Sequence, residues 1–577
     1  MVTQPEGWTP TDAQRELIEA DGSRFVEACP GSGKTKAIVA RYERLARSRA
    51  RRGVALLSFT NAAVDEVATR CADQSMLEPP NFIGTFDSFI NRFITGPFVA
   101  KVTGKYPRFI DSWASIPGAE VRLPTMQQGL SFALDWFDWN DADEYVLDPD
   151  KIAGRFAAAL RNEYVGSEAA INSSADRLRV RLIRDRQIVS AAASRRTAMR
   201  LLSTGRTRGP WIALLAARFA EVIVDEAQDS GVEELEVLQA MLDGGVAVVM
   251  VADLDQAIYE FRRASPEQVR SFAEKLPAGR PLDGNFRSSP AICNAGSSLR
   301  TGLGVDLAIG PNAAIEWPVR IVPFDDLSEV ADCLPDLLSE LGLEAKDCKV
   351  LAHRGRDAAS AAGGSSPIPG SSHKVLRAAR AHLVLTSENN PARLRQAVGD
   401  VERILVEIAL PNGTTDLEHA GGLADRLGVT ERWLRSSALR LTNGVTPRIG
   451  RVAYTLELRR IVQGLGWPTS VTIANLGHQL ATPSETKWSE LMLEPPTGMP
   501  WGTIHSVKGR EFEAVVLVIP QQLVPNSEGK SCLDLWSEGE DGESRRVLYV
   551  GATRARQLLV VAVHRSHAER VAGLLDR

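Results

Sequence analysis

Six short apolar runs stand out along the chain: RFVEA (24–28), VALLSF (54–59), EVIVDEA (221–227), VAVVMVAD (246–253), AVVLVI (514–519) and QLLVVAV (557–563). They do not alternate with polar residues and are rich in valine, which predicts parallel strands buried on both faces. Helical patterns flank them, as in GKTKAIVARYERLARSRARR (33–52). This is the βαβ rhythm of an open α/β sheet. The strands fall into two groups, one over 24–90 and 220–283, the other over 283–355 and 500–577. Between them lie 95–210 and 356–497, both helix-rich with little strand signal; the second contains the loose stretch AAGGSSPIPGSS (361–372). The expected architecture is two α/β domains with parallel sheets, each carrying a mainly helical insertion.

The length of 577 residues fits this multi-domain layout. With 67 Lys and Arg against 72 Asp and Glu the formal charge is −5, which excludes a globally polybasic nucleic-acid coat. It leaves room for a local basic groove, which is what phosphate binding needs. One such patch is plain: residues 177–208 hold ten arginines and one acid, Asp185. A nucleic-acid backbone is the partner this excess favours over a solvated helix face. In RYERLARSRARR (41–52) the solvated face is the better reading. The six cysteines form no CxxC pair, so thiols are expected rather than a disulfide framework or zinc site. There is no signal-peptide pattern at the start and no apolar run of membrane-spanning length, so a cytoplasmic protein without membrane partners is expected.

Residues 28–35 read Ala-Cys-Pro-Gly-Ser-Gly-Lys-Thr, between an expected strand and an expected helix. In that setting the loop that Pro30 opens turns the backbone N–H groups of Gly31, Ser32 and Gly33 toward phosphates, Lys34 reaches the outer ones, and the Thr35 hydroxyl takes a magnesium position. Ala28 stands where the general pattern has Gly. Residues 222–229 read Val-Ile-Val-Asp-Glu-Ala-Gln-Asp, a buried strand ending in two carboxylates. Asp225 is then placed near the metal and Glu226 beside the attacking water. Loop and acid pair together point to a phosphate-loop nucleoside triphosphatase.

Ten segments in order carry a wider likeness: TPTDAQ (9–14), ACPGSGKT (28–35), LLSFTNAAVDEV (56–67), IGTFDSF (83–89), VIVDEAQD (222–229), MVADLDQAIYEFRRA (250–264), LDGNFRSSPAI (282–292), VLAHRGR (350–356), GTIHSVKGREFEAVVLV (502–518) and RVLYVGATRARQLLVVAV (546–563). On these the chain resembles a superfamily 1A DNA helicase of the UvrD/Rep/PcrA type. The resemblance implies two RecA-like domains, 1A over 1–94 and 211–282 and 2A over 283–355 and 498–577. The insertions, 95–210 and 356–497, match the family's 1B and 2B in position. It implies ATP and Mg2+ as cofactors, with Thr35 and Asp225 toward the metal. Gln14 would read the adenine edge and Phe286 would stack on the base, with Lys36 where many relatives have Arg. Gln256 would couple the γ-phosphate to the DNA side, Arg287 and Arg554 would be arginine fingers, Glu511 would hold the ribose hydroxyl, and Gly509 would allow close backbone approach.

The same likeness places Phe59, Thr60, Asn61, Thr85, Tyr259, Phe261, Arg262 and His505 along a single-strand path, with Phe59 and Phe261 as the stacking candidates and core packing the rival reading for Phe86 and Tyr259. Ala62, Asp87, Ala252 and Arg263 depart from the family's usual residues there. Trp136, Phe137 and Trp139 read as core rather than as a duplex wedge. Twenty-three residues follow Arg554, so no fused nuclease is expected behind it. The implied activity is ATP-dependent 3′-to-5′ unwinding of single-stranded and tailed duplex DNA, in repair or replication restart. The alternative is a helicase-like NTPase subunit with a nuclease partner protein in a Gabija-like anti-phage complex that senses DNA ends.

Overall fold

The structure is a computed structural model. It describes residues 8–576 apart from 48–50, 60, 72–73, 114–115, 117, 127–129, 141, 153–156, 204, 259–265, 302–303, 305, 364–372, 388–390, 410–423, 425–426, 470, 472, 474 and 493–498. Two compact units emerge, one of Met1–Pro97, Ser194–Ser366 and Glu494–Arg577, the other of Phe98–Ala193 and Pro367–Leu493.

The first unit contains two five-stranded, all-parallel sheets. One is built from β1 (Arg24–Glu27), β2 (Gly53–Ser58), β3 (Phe82–Thr85), β4 (Phe219–Val224) and β5 (Ala247–Ala252), in the order β1-β5-β4-β2-β3. The other comprises β6 (Arg320–Phe324), β7 (Cys348–Ala352), β8 (Trp501–Thr503), β9 (Phe512–Ile519) and β10 (Ala555–His564), in the order β6-β10-β9-β7-β8. The valine-rich runs form the inner strands for the expected reason: Val222, Ile223 and Val224 in β4 and Val248, Val249 and Met250 in β5 are wholly buried. Because the strands are parallel, the carboxyl ends of β1, β4 and β5 share one sheet edge, and the loops leaving them meet there.

Helix α1 (Asp12–Glu19) begins with a capping box in which Thr11 accepts from the Gln14 backbone and the Gln14 side chain accepts from Thr11 N. Helix α2 (Lys34–Ala46) carries Arg41, which is fully buried, donating to both carboxylate oxygens of Glu221 and to the carbonyls of Leu17 and Ala20. The first arginine of the 41–52 run is thus an internal strut.

In the second unit, 98–193 packs around Phe132, Leu134, Ile171 and Ala175. Its helix α3 (Glu168–Arg186) is accompanied by three short strand pairings: Arg108–Ile110 with Ile188–Ser190, Glu120–Val121 with Phe132–Ala133, and Phe137–Trp139 with Tyr145–Leu147. Trp136, Phe137 and Trp139 are buried in this core, as the sequence predicts. The 367–493 portion is helical where described, packed around Ile404, Leu405, Tyr454 and Leu458. All six cysteines are free thiols. Among the described residues no helix is long and apolar enough to cross a membrane.

Candidate nucleotide site and nucleic-acid face

The loop after β1 turns through two glycines in the left-handed region, Gly31 and Gly33, both at φ 71°. Gly33 is the N-cap of α2, so its conformation aims the free N–H groups of the helix start into the loop. Gly31 is tied to the second sheet's side: Phe286 N donates to its carbonyl at 2.9 Å, and a Cβ there would lie 2.5 Å from Arg287 Cβ. Glycine is therefore required twice over, by dihedral and by room.

Two carboxylates leaving β4 meet the start of α2. Lys34 Nζ lies 2.7 Å from Glu226 Oε1, and Thr35 Oγ1 donates to Asp225 Oδ2 at 3.2 Å. Glu226 stands at φ 54°, a left-handed position unusual for a side-chain-bearing residue, costing on the order of 1–3 kcal/mol. Its environment splits the acids. Burial, reinforced by the neighbouring Glu226 charge, pushes Asp225 up; for Glu226, burial is outweighed by Lys34 and Lys508, which hold it down. A hydroxyl and a carboxylate side by side are the hard oxygen donors that magnesium takes alongside phosphate oxygens. An acid made reluctant to ionise by burial fits a place where a cation belongs. The buried Ser32 hydroxyl, without a protein partner among the described residues, fits a phosphate in the same loop.

From β5 the chain enters a single 3-10 turn, Leu254–Gln256. Gln256 Nε2 donates to Asp253 Oδ2 at 2.6 Å, and its Oε1 accepts from Arg554 Nη2 at 2.8 Å. Arg554 is almost wholly buried; burial, then the nearby Arg287, lowers its guanidinium to about 10, still charged at neutral pH. Arg287 donates through Nε to Glu511 Oε2 at 2.5 Å and through Nη1 to the Thr553 carbonyl. Glu511 and Arg287, expected to face ribose and phosphate, are thus paired with each other. Gly509 has φ 81° and open space around it.

The base-facing candidates are gathered around Gly33. Gln14 Nε2 donates to Ser32 O at 2.8 Å, and the Phe286 ring comes within 4.0 Å of where a Gly33 Cβ would sit. The Gln14 amide keeps one N–H and one lone pair for a base. Lys36 projects over the Trp8 indole, its Nζ 4.6 Å from the ring centroid.

Among the nucleic-acid candidates, Phe59 is half-buried and stacked on the buried Phe86, centroids 5.8 Å apart. Thr85 caps the following helix, accepting from Ser88 N. His505 is half-buried with its ring 5.7 Å from His353; burial, then His353 and Lys508, lowers its pKa. Thr60, Tyr259, Phe261, Arg262 and the side chain of Asn61 lie outside the described residues, as does Arg263. Asp87 accepts two hydrogen bonds from Arg195 Nη1, at 2.7 and 2.9 Å. Within the arginine-rich segment, Arg179 pairs with Asp176 and Arg208 with Asp243. Arg177, Arg181 and Arg184 remain exposed on α3 at helical spacing.

Several residues at this site carry no role that the sequence alone assigns. Lys508 reaches across to Asp229, 2.7 Å away, and donates to the Gln256 carbonyl. Gln228 donates to Glu226 and accepts from Asp253 N. Tyr549 donates to Asp253 Oδ2. Lys508, Asp229 and Gln228 sit inside recognised motifs, so position alone could have flagged them.

A family model described as the UvrD/REP helicase N-terminal domain matches residues 10–127 and 184–277, and one for the UvrD-like helicase C-terminal domain matches 489–566. The chain is 22% identical over 362 residues to YjcD of Bacillus subtilis, named as a putative ATP-dependent DNA helicase, covering 59% of this chain and 45% of that one. It is 24% identical over 292 residues to the Gabija protein GajB of Bacillus cereus, covering 49% and 47%. Over 99 residues it is 35% identical to an ATP-dependent helicase/nuclease subunit of Streptococcus mutans, covering 16% and 8%. Each match spans less than half of the relative's own length.

Proposed function

The chain belongs to the UvrD/REP helicase family, and from that premise we propose that it is an ATP-dependent translocase and helicase moving 3′ to 5′ on single-stranded and tailed duplex DNA, in repair or replication restart. The observation that carries the proposal is the convergence of Lys34, Glu226, Thr35 and Asp225 on one sheet edge, with Arg554 joined to Gln256 from the second sheet. In this reading 1–94 with 211–282 is the ATP-binding domain, 283–355 with 498–577 its RecA-like partner, and 95–210 and 356–497 the insertions. Lys34 neutralises the outer phosphates. Glu226, kept ionised by two lysines, orients and deprotonates the attacking water. Thr35 and Asp225 would hold magnesium, which when bound neutralises phosphate charge. Arg554 and Arg287 stabilise charge on the transferred group, an effect worth ~10³–10⁵ in rate. Gln14, Phe286 and Lys36 bind the base, and Glu511 exchanges Arg287 for the ribose hydroxyl.

For DNA, Phe59 offers a stacking face, with Thr60, Asn61, Thr85, Tyr259, Phe261, Arg262 and His505 along the strand. Stacking of ~1–3 kcal/mol per base is close to the ~1.4 kcal/mol of one duplex step. Small nucleotide-driven changes then decide which way a base moves.

A second reading, a helicase-like NTPase that works with a nuclease partner in anti-phage defence, is supported by the likeness to GajB and to the helicase/nuclease protein of Streptococcus mutans. Strand displacement on duplexes with a 3′ or a 5′ tail, with Lys34→Ala as control, separates the two. ATP-dependent unwinding from the 3′ tail alone supports the autonomous helicase. DNA-stimulated hydrolysis without unwinding supports the second reading.

A further inference from the structure

Behind the nucleotide loop lies a buried charge cluster centred on Arg300, a residue that none of the quoted motifs contains. Arg300, at the end of the helix Pro290–Leu299 on the second sheet's side, has a side chain only 5% exposed. Its three nitrogens go to three different acids: Nη2 to Glu27 Oε1 at 2.9 Å, Nε to Asp255 Oδ2 at 3.1 Å, and Nη1 to Asp306 Oδ1 at 2.8 Å. The second oxygen of Asp255 accepts from Thr301 N and Thr301 Oγ1. Arg545 fixes the corner from the other side, donating to the carbonyls of Leu299 and Arg300.

What these acids belong to gives the cluster its meaning. Glu27 is the last residue of β1, so the next residue opens the nucleotide loop. Asp255 immediately precedes Gln256 in the 3-10 turn. Gln256 is itself held between Asp253 and Arg554, and Tyr549 fastens Asp253 from the helix Glu543–Ala552 that leads to Arg554. Arg300 therefore joins both chain segments that approach the γ-phosphate position to the body that carries Arg554.

We propose that Arg300 is a positioning residue for ATP turnover, holding Glu27 and Asp255, and through them the nucleotide loop and Gln256, in alignment with Arg554. The inference rests on reading the site as that of a DNA-dependent ATPase. A planar guanidinium can serve three acceptors in fixed directions, which an ammonium on a flexible stem cannot. A buried ion network is poor evidence of stabilisation in itself, since apolar replacements of similar volume are often neutral. Alignment is the role that remains. The cluster also holds more acid than base: burial raises Asp253 to about 6 and Asp306 to about 7, and Asp253 Oδ1 and Asp306 Oδ2 have no protein partner among the described residues.

The test uses the full chain with Arg300→Met and Arg300→Lys. Fluorescent-ATP binding, hydrolysis with and without single-stranded DNA, and thermal unfolding are measured on each. For Arg300→Met we expect nucleotide affinity and KM to stay close to wild type while DNA-stimulated kcat per binding site falls about 10- to 100-fold, the scale of an ångström-sized misplacement. Arg300→Lys should recover part of it. Combined with Gln256→Ala, Arg300→Met should cost little more than Gln256→Ala alone. A merely structural role would lower the melting temperature while leaving kcat per binding site intact, and that result overturns the proposal, as do losses that multiply in the double variant. If Arg300→Met does not fold, Asp255→Asn and Glu27→Gln give the same readouts with the same two outcomes. A wild-type chain no more active than Lys34→Ala would overturn the ATPase reading and this inference with it. An active wild type with unchanged Arg300 variants overturns this inference alone.

Discussion

Alanine at Arg554 and Gln256, singly and together, probes the contact that links the two sheets across the proposed nucleotide site. Arg554 Nη2 and Gln256 Oε1 are 2.8 Å apart, and the two residues are 2% and 5% exposed. Loss of an arginine finger lowers the rate by ~10³–10⁵, or about 4–7 kcal/mol at some 1.4 kcal/mol per decade. Loss of Gln256 leaves a buried guanidinium short of one acceptor, costing ~1–3 kcal/mol. The bond joining them is charge-assisted and shielded from water, so the two effects should couple by ~1.5–3 kcal/mol. The double variant should therefore lose about 10- to 150-fold less than the product of the single losses. The assay is steady-state hydrolysis at saturating single-stranded DNA, with fluorescent-ATP binding to show that the loop still forms. Strictly multiplicative losses, or an Arg554→Ala variant within about tenfold of wild type, would refute the reasoning. Because Arg554 remains charged throughout the neutral range, the size of the loss should not vary with pH there.

Lys34→Ala should abolish hydrolysis while sparing DNA binding, and turnover that persists would remove the phosphate-loop assignment. Phe59→Ala should weaken single-strand affinity by ~1–3 kcal/mol whatever the base sequence; an unchanged affinity alongside a lowered melting temperature would make Phe59 a core residue supporting Phe86. Replacing the exposed Arg177, Arg181 and Arg184 together should reduce the salt dependence of single-strand binding by about two units of log–log slope if all three meet phosphates, and an identical slope would mark that face as solvated surface. Asp306 has its pKa raised by burial from the usual 3.8 to about 7, so in that window the folded chain binds more protons than the unfolded one. Stability should then decline as pH rises through the interval, by at most about 1.4 kcal/mol per pH unit for this group. Denaturant unfolding of Asp306→Asn should show that decline removed, and equal slopes for variant and wild type would contradict the assignment.

The strands that matter most to the site were legible because burial on both faces demands uninterrupted apolar residues, and EVIVDEA and VAVVMVAD supply them. β7 and β8 gave no comparable signal: CKVLA and WGT are short, with a polar residue in each; β7 becomes a strand by pairing with β8 and β9, and β8 by pairing with β7 at the sheet edge. The ribbons of the first insertion are two or three residues long, too brief for any periodicity to register. The arginine-rich segment reads as a positive patch with Asp185 its one acid, yet Asp87 and Asp243 neutralise part of it from outside the segment.

What the sequence determined by itself is the local chemistry: a loop whose glycines permit left-handed turns, a lysine and threonine at the start of a helix, and two acids ending an apolar strand. These depend on neighbours along the chain, and local order writes them plainly. What the tertiary structure alone decided is which distant groups close on that loop. Arg300 meets Glu27, 273 residues away, and Asp255, 45 residues away, while Arg554 meets Gln256 across 298 residues. No local pattern specifies such pairs, because an isolated arginine in a chain looks the same whether water or buried carboxylates will surround it. Only the stacking of parallel strands, which gathers their carboxyl ends at one edge, turns those separate residues into a site.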